Sequence, residues 1–147
     1  MVQEIHLYAL QLLAKRDHSV LDLQRKIETK FGQVPDELIQ ELIRKNFLND
    51  RRFAEHYVAR KKEKGSSVLR DELLSHGVAA EVVDEILSRV EWPSLRDALK
   101  DKMNGWKLRA PLQSRDAARL FRALLRLGYE EDAIHEEIEQ LQQQRRQ

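Results

Sequence analysis

The chain has 147 residues, 41% of them hydrophobic and 35% charged, and its 26 Lys and Arg against 25 Asp and Glu leave a net charge of +1. That is the length of one ordinary domain and the composition of a soluble protein rich in surface helix. The absence of cysteine excludes a disulfide framework, a thiolate zinc site and a cysteine nucleophile, and five Gly with three Pro give little punctuation for strands, so an all-α fold is expected.

The opening MVQEIHLYALQLLAKRD lacks a basic leader and a small-residue cleavage site, and Gln11 and Lys15 interrupt its apolar run. It reads as a helix over residues 5–14 rather than a signal peptide or a membrane span, and the expected location is the cytoplasm. Ser19 and Asp22 have capping-box spacing ahead of a second helix whose apolar stripe is Leu23, Ile27 and Phe31. Pro35 suits the first position of a third helix, with Asp36 and Glu37 at the positive end of its dipole. Asn46 stands between helices, where a left-handed residue is wanted. A fourth helix is expected over 51–63, a fifth around Leu69 and Leu73, and a sixth opened by Glu81. Ser94 with Asp97 starts a seventh over 94–103, and Ser114 is the expected N-cap of an eighth, which carries Leu120 and Leu124. Glu130, Glu131 and Asp132 open the ninth.

These nine helices repeat in triplets. Aligning Val34, Val78 and Tyr129 brings Leu38 and Ile39, Val82 and Val83, and Ala133 and Ile134 into register, and then Ile43, Leu87 and Ile138. Offsets of four, five and nine fall on one helical face, so each third helix is expected to bury the same stripe. Gly32, Gly77 and Gly128 precede the aligned positions and serve as stops for the second helices. The expected organisation is three three-helix repeats, 1–48, 49–91 and 92–147, in an elongated, curved, solenoid-like chain whose small modules share interfaces.

Charge is distributed unevenly along this frame. Between 51 and 70, Arg51, Arg52, Arg60, Lys61, Lys62, Lys64 and Arg70 face only Glu55 and Glu63. Between 71 and 91, Arg89 alone faces six carboxylates, so the middle repeat is dipolar. Phe53, Ala54, Tyr57 and Val58 pair at i, i+4 and are expected in the core, which leaves the cations for the outer face. A solvated helix face explains each cation singly, and contact with a partner or with DNA explains the cluster. In the third repeat Arg115, Arg119, Arg122 and Arg126 are spaced four, three and four, opposite Ala117, Leu120, Phe121 and Leu124. Only Asp116 and Glu130 lie at ion-pairing distance along the helix, so this stripe suits a carboxylate or phosphate partner as well as plain solubility.

Nothing points to catalysis or to a cofactor. His6, His18, His56, His76 and His135 form no helical metal pair, and the glycines are too scattered for a phosphate loop. Asp36 with Glu37, and Glu136 with Glu137, read as dipole partners or solvated faces, and Trp92 and Trp106 as packing residues.

LNDRRFAEHYVARKKEKG followed by SSVLRDELLSHGV resembles the central repeat of the RecX family, on Leu48, Asp50, Arg52, Phe53, Ala54, Tyr57, Val58, Arg60, Lys64, Gly65, Glu72, Leu73, Gly77 and Val78. ALQLLAKRDHSVLDLQRKI is similar to that family's opening helices, and RLFRALLRLGYEEDAI to its closing repeat, so the resemblance spans nearly the whole chain. It implies a non-enzymatic regulator, and beside it a cytoplasmic monomer without a cofactor or a membrane partner is expected. Its partner would be the RecA recombinase filament on single-stranded DNA, whose ATP hydrolysis, strand exchange and co-protease action it would damp. The basic residues named above are the candidate surface for that filament.

A helix-turn-helix DNA binder is the alternative for three-helix units of this size. Its recognition positions would be the third helices, which are rich in acid: Asp36, Glu37 and Glu41, then Glu81, Asp84 and Glu85, then Glu130 through Asp132 with Glu136, Glu137 and Glu139. DNA phosphates would repel them. Weak contact of single- or double-stranded DNA with the first and second helices stays open.

Overall fold

A computed structural model describes residues 1–143. Among the described residues the chain is all-α. The helices are α1 (Val2–Lys15), α2 (Val20–Phe31), α3 (Asp36–Arg44), α4 (Asp50–Arg60), α5 (Ser66–Ser75), α6 (Ala80–Ser88), α7 (Leu95–Gly105), α8 (Ser114–Arg126) and α9 (Glu131–Gln143), with a single 3-10 turn at Lys62–Lys64.

The helix ends follow local chemistry with four differences, the first of them at Pro35, which is the extended N-cap of α3 and not its first helical residue. Ser19 and Ser94 accept the N–H groups of Asp22 and Asp97, each at 3.1 Å, as their spacing predicts. Asp22 does not return the bond. Its carboxylate turns to His76, while Asp50 Oδ1 accepts the N–H of Val20, the first helical residue, at 2.8 Å. Ser114 is not a cap but the first helical residue, after Gln113. The fourth helix stops at Arg60, short of 63, because the chain tightens into the 3-10 turn ahead of Gly65. Gly32, Gly77 and Gly128 take positive φ of 75°, 84° and 99°, and Asn46 takes 63°. At Gly77 the requirement is double, because a Cβ there would lie 2.7 Å from the Cβ of Leu21.

Two compact units are present, Met1–Lys61 with Arg70–Arg89, and Lys62–Leu69 with the chain from Val90 onward. In the first, α1 packs on α2 and α4 on α6. Ile5, Ala9, Leu23, Ile27, Leu38, Ile39, Leu42 and Leu48 form one continuous apolar cluster. The second unit centres on α8 and α9, with Leu99, Leu120, Leu124, Ile134 and Ile138 at its core. Leu112 N–H donates to Leu141 O at 3.2 Å, which ties the loop before α8 to α9.

The repeated stripe is buried at Leu38, Ile39, Val83, Leu87, Ile134 and Ile138. Ile43 departs from it and is 41% exposed. α3 ends one residue later, and Leu42 and Leu48 fill the space, with the N–H groups of Phe47 and Leu48 both closing on Leu42 O. The turn that ends the helix thereby rotates the core-facing role from Ile43 to its neighbour.

Candidate partner-binding surface

In the first unit the apolar stripe of α4 is core: Phe53, Ala54, Tyr57 and Val58 are all buried. The rings of Phe53 and Tyr57 meet at 5.8 Å, and His76 packs against both, at 5.4 and 5.3 Å. The cations around this stripe have different fates. Arg51 donates to Glu85 at 2.7 Å and Arg70 to Asp84 at 2.8 Å, so the acidic face of α6 meets the basic residues of α4 and α5. The bond from Arg70 holds the Asp84 carboxyl below the ordinary carboxylate range, and Arg51 does the same to Glu85. Arg52 clamps the turn between α3 and α4 by donating to Asn46 O at 2.9 Å and Phe47 O at 3.2 Å, with Asp17 at 3.4 Å.

Arg60 and Lys61 close α4 on its outer side. Arg60 is exposed and has no carboxylate partner among the described residues, and Lys61 Nζ sits 4.3 Å above the Tyr57 ring. Lys62 and Lys64 belong to the 3-10 turn of the second unit, Lys62 exposed and Lys64 half-buried.

The arginine stripe of α8 is laid out as its spacing predicts. Arg115, Arg119, Arg122 and Arg126 are exposed, and Ala117, Leu120 and Leu124 are buried on the other side. Phe121 stacks on His135 with ring centroids 4.4 Å apart. Among the described residues no carboxylate engages any of the four arginines, including Asp116 and Glu130, which lie at helical pairing distance in sequence. Arg119 lies over an aromatic ring, its guanidinium carbon 3.8 Å from the Trp106 centroid. That partnership was not legible in the sequence, where Trp106 shows only as an aromatic ahead of α8. A guanidinium stacked on an aromatic keeps its edge donors free for a bidentate acceptor.

Among the described residues no three His, Cys, Asp or Glu side chains gather where they could hold a metal, and no helix is long and apolar enough to cross a membrane. His18, a helix-start residue in sequence, is buried beside α2 with its Nδ1 3.0 Å from Arg16 O.

Glycine-linked helix pairs, buried stripes in register and charged outer faces define an all-α repeat protein. Residues 49–87 match the family described as RecX, second three-helix domain. The chain is 30% identical over 138 residues to the regulatory protein RecX of Chlorobium phaeobacteroides, covering 90% of each chain. It is 30% identical over 146 residues to that of Trichlorobacter lovleyi, covering 92% of this chain and 94% of the relative. With the Halorhodospira halophila protein of the same name the identity is 32% over 133 residues, 86% and 81% of the two chains. The chain belongs to the RecX family of regulatory proteins.

Proposed function

We propose that this protein binds the RecA recombinase filament as a monomer in the cytoplasm and damps its ATP hydrolysis, strand exchange and co-protease action, without catalysis or a cofactor of its own. The observation that carries this reading is the α8 face. Four exposed arginines stand on one side of a helix whose other side is core, and no carboxylate engages them among the described residues. Unneutralised guanidinium groups at helical spacing suit a carboxylate-bearing protein surface or the phosphates that a nucleoprotein filament carries. Family membership across most of the chain supports it. Arg60 and Lys61 in the first unit, and Lys62 and Lys64 in the second, are further candidate contacts, each taken singly. Arg51, Arg52 and Arg70 have carboxylate partners inside the protein and contribute mainly by shaping α4 and α5.

The test is inhibition of RecA ATPase on single-stranded DNA at matched salt, with Arg115, Arg119, Arg122 and Arg126 all replaced by Gln. Gln is a fair helix former, so helicity should persist. Inhibition should weaken and its salt dependence should become shallower, because fewer screened charge contacts remain. Undiminished inhibition by this variant would show that the stripe serves only solubility.

A further inference from the structure

The first unit contains a cleft of about 520 Å³ whose wall carries five cations, Arg16, Arg25, Lys26, Arg60 and Lys61. That volume lies within the range of small-ligand pockets, about 300–1,000 Å³. Two carboxylates, Asp17 and Asp22, also line it, and both have partners already. Asp22 Oδ2 lies 2.6 Å from His76 Nδ1, and Asp17 lies 2.8 Å from His56 Nδ1 and 3.4 Å from Arg52. The cations of the wall outnumber these two carboxylates, whose nearest partners are His76, His56 and Arg52 and none of the five, so the cleft keeps an excess of positive charge.

Lys26 shows how one of them is held. His18 is 5% exposed, and its ring bridges Arg16 O, 3.0 Å from Nδ1, and Lys26 Nζ, 2.9 Å from Nε2. An ammonium only donates, so Nε2 must be the acceptor and Nδ1 carries the proton that goes to Arg16 O. Burial, followed by the charges of Lys26 and Arg16, holds this imidazole below its ordinary value against the opposing bond to Arg16 O. A buried neutral histidine thus fixes a lysine at the cleft wall and leaves its full charge in place. Arg25 is anchored more loosely, with Nη1 3.5 Å from Ser75 O. Arg16 and Arg60 have no carboxylate partner among the described residues, and both bring a guanidinium fork to the same cleft.

We propose that this cleft is a phosphate-binding site, taking the polyphosphate of a nucleotide or the backbone phosphates of a single nucleic-acid strand. Two guanidinium forks and a fixed ammonium match the several oxygens and multiple charge of a phosphate better than a lone carboxylate. Phe53 and Tyr57 line the cleft, but both rings are buried against each other and His76, so recognition falls on phosphate and not on base. The site needs no RecA, and its test uses the full chain alone.

Binding is measured by calorimetry with tripolyphosphate and with ATP, and by anisotropy with labelled single-stranded oligo-dT and oligo-dC, for the parent and for Lys26→Gln, Arg60→Gln and Lys26→Arg. Lys100→Gln, at an exposed position on α7, is the control. Each Gln variant of the cleft should lose affinity about tenfold, the value of one charge-assisted hydrogen bond. The salt slope for the strand should flatten by about 0.7 per lost contact. Lys26→Arg should retain binding, Lys100→Gln should match the parent, and the two oligonucleotides should bind alike. Tripolyphosphate or ATP that binds with this residue dependence and displaces the strand identifies the free phosphate as the source. A strand that alone shows the dependence identifies the backbone. The proposal is overturned if no phosphate probe binds, if Lys100→Gln weakens binding as much as the cleft variants do, or if a polyglutamate peptide of matched charge binds as tightly as the phosphates.

Discussion

Phe53→Ala tests whether the aromatic stripe of α4 is structural. Phe53 is 5% exposed, and its ring edges onto Tyr57 and His76 at 5.8 and 5.4 Å. Truncating a buried Phe costs about 3–5 kcal/mol, part from lost transfer free energy and part from the cavity left behind. Phe53 also lines the cleft of the first unit, where water can enter the vacated space, so the lower end of that range, about 3 kcal/mol, is expected here. For a chain of this size that corresponds to a fall of about 6–12 °C in the thermal midpoint. Phe53→Leu, which keeps most of the volume and loses the ring contacts, should cost about half as much. Urea melts give the stability change, and an unchanged m-value with a lower midpoint would mark a loss of packing alone. Unchanged stability combined with lost binding to RecA filaments would refute the reasoning and make Phe53 a contact residue.

Two further predictions follow from single contacts. Gly77→Ala should destabilise by about 2 kcal/mol, from positive φ plus overlap with Leu21, whereas Gly32→Ala, with positive φ and open space around it, should lose less. Equal losses in thermal melts would remove the Leu21 contact from the explanation. His18 is held below its ordinary value by burial, so well above about pH 6.5 it is neutral whether folded or unfolded and adds no pH dependence. As the pH falls below that value the unfolded chain takes up a proton that the folded chain refuses, and stability drops. Urea midpoints should therefore decline more steeply for the parent than for His18→Gln between about pH 7 and pH 5. Parallel curves would show that the His18 ring titrates as it does in water.

Helices, stops and the faces of α8 were legible in the sequence because each rests on neighbours three or four residues apart. The positive φ of Gly32, Gly77, Gly128 and Asn46, the Ser19 and Ser94 caps, the burial of the α4 stripe and the exposed arginine row all follow from such local rules. Failures came where a local rule met a distant partner. The Ser19 and Asp22 spacing promises a reciprocal cap, but Asp22 is drawn to His76, 54 positions on, and the N–H of Val20, beside the cap, goes to Asp50, 30 positions away. Ile43 keeps the repeat's register and loses its burial to Leu42 once the turn to Leu48 closes.

Charge divides in the same way. Composition and spacing determined that the middle repeat is dipolar, with cations ahead of carboxylates. Only the tertiary structure decided which of those cations are occupied: Arg51 by Glu85 and Arg70 by Asp84, 34 and 14 positions apart, while Arg60 is left exposed. It alone brought Arg16, Lys26 and Arg60 to one cleft and set a buried histidine behind the lysine. The physical reason is range. Backbone propensity and helical periodicity act within a turn or two and are written in consecutive residues, whereas a side-chain ion pair or a cleft depends on which helices pack together, and the cores that bring those helices together are buried by residues with no charge at all.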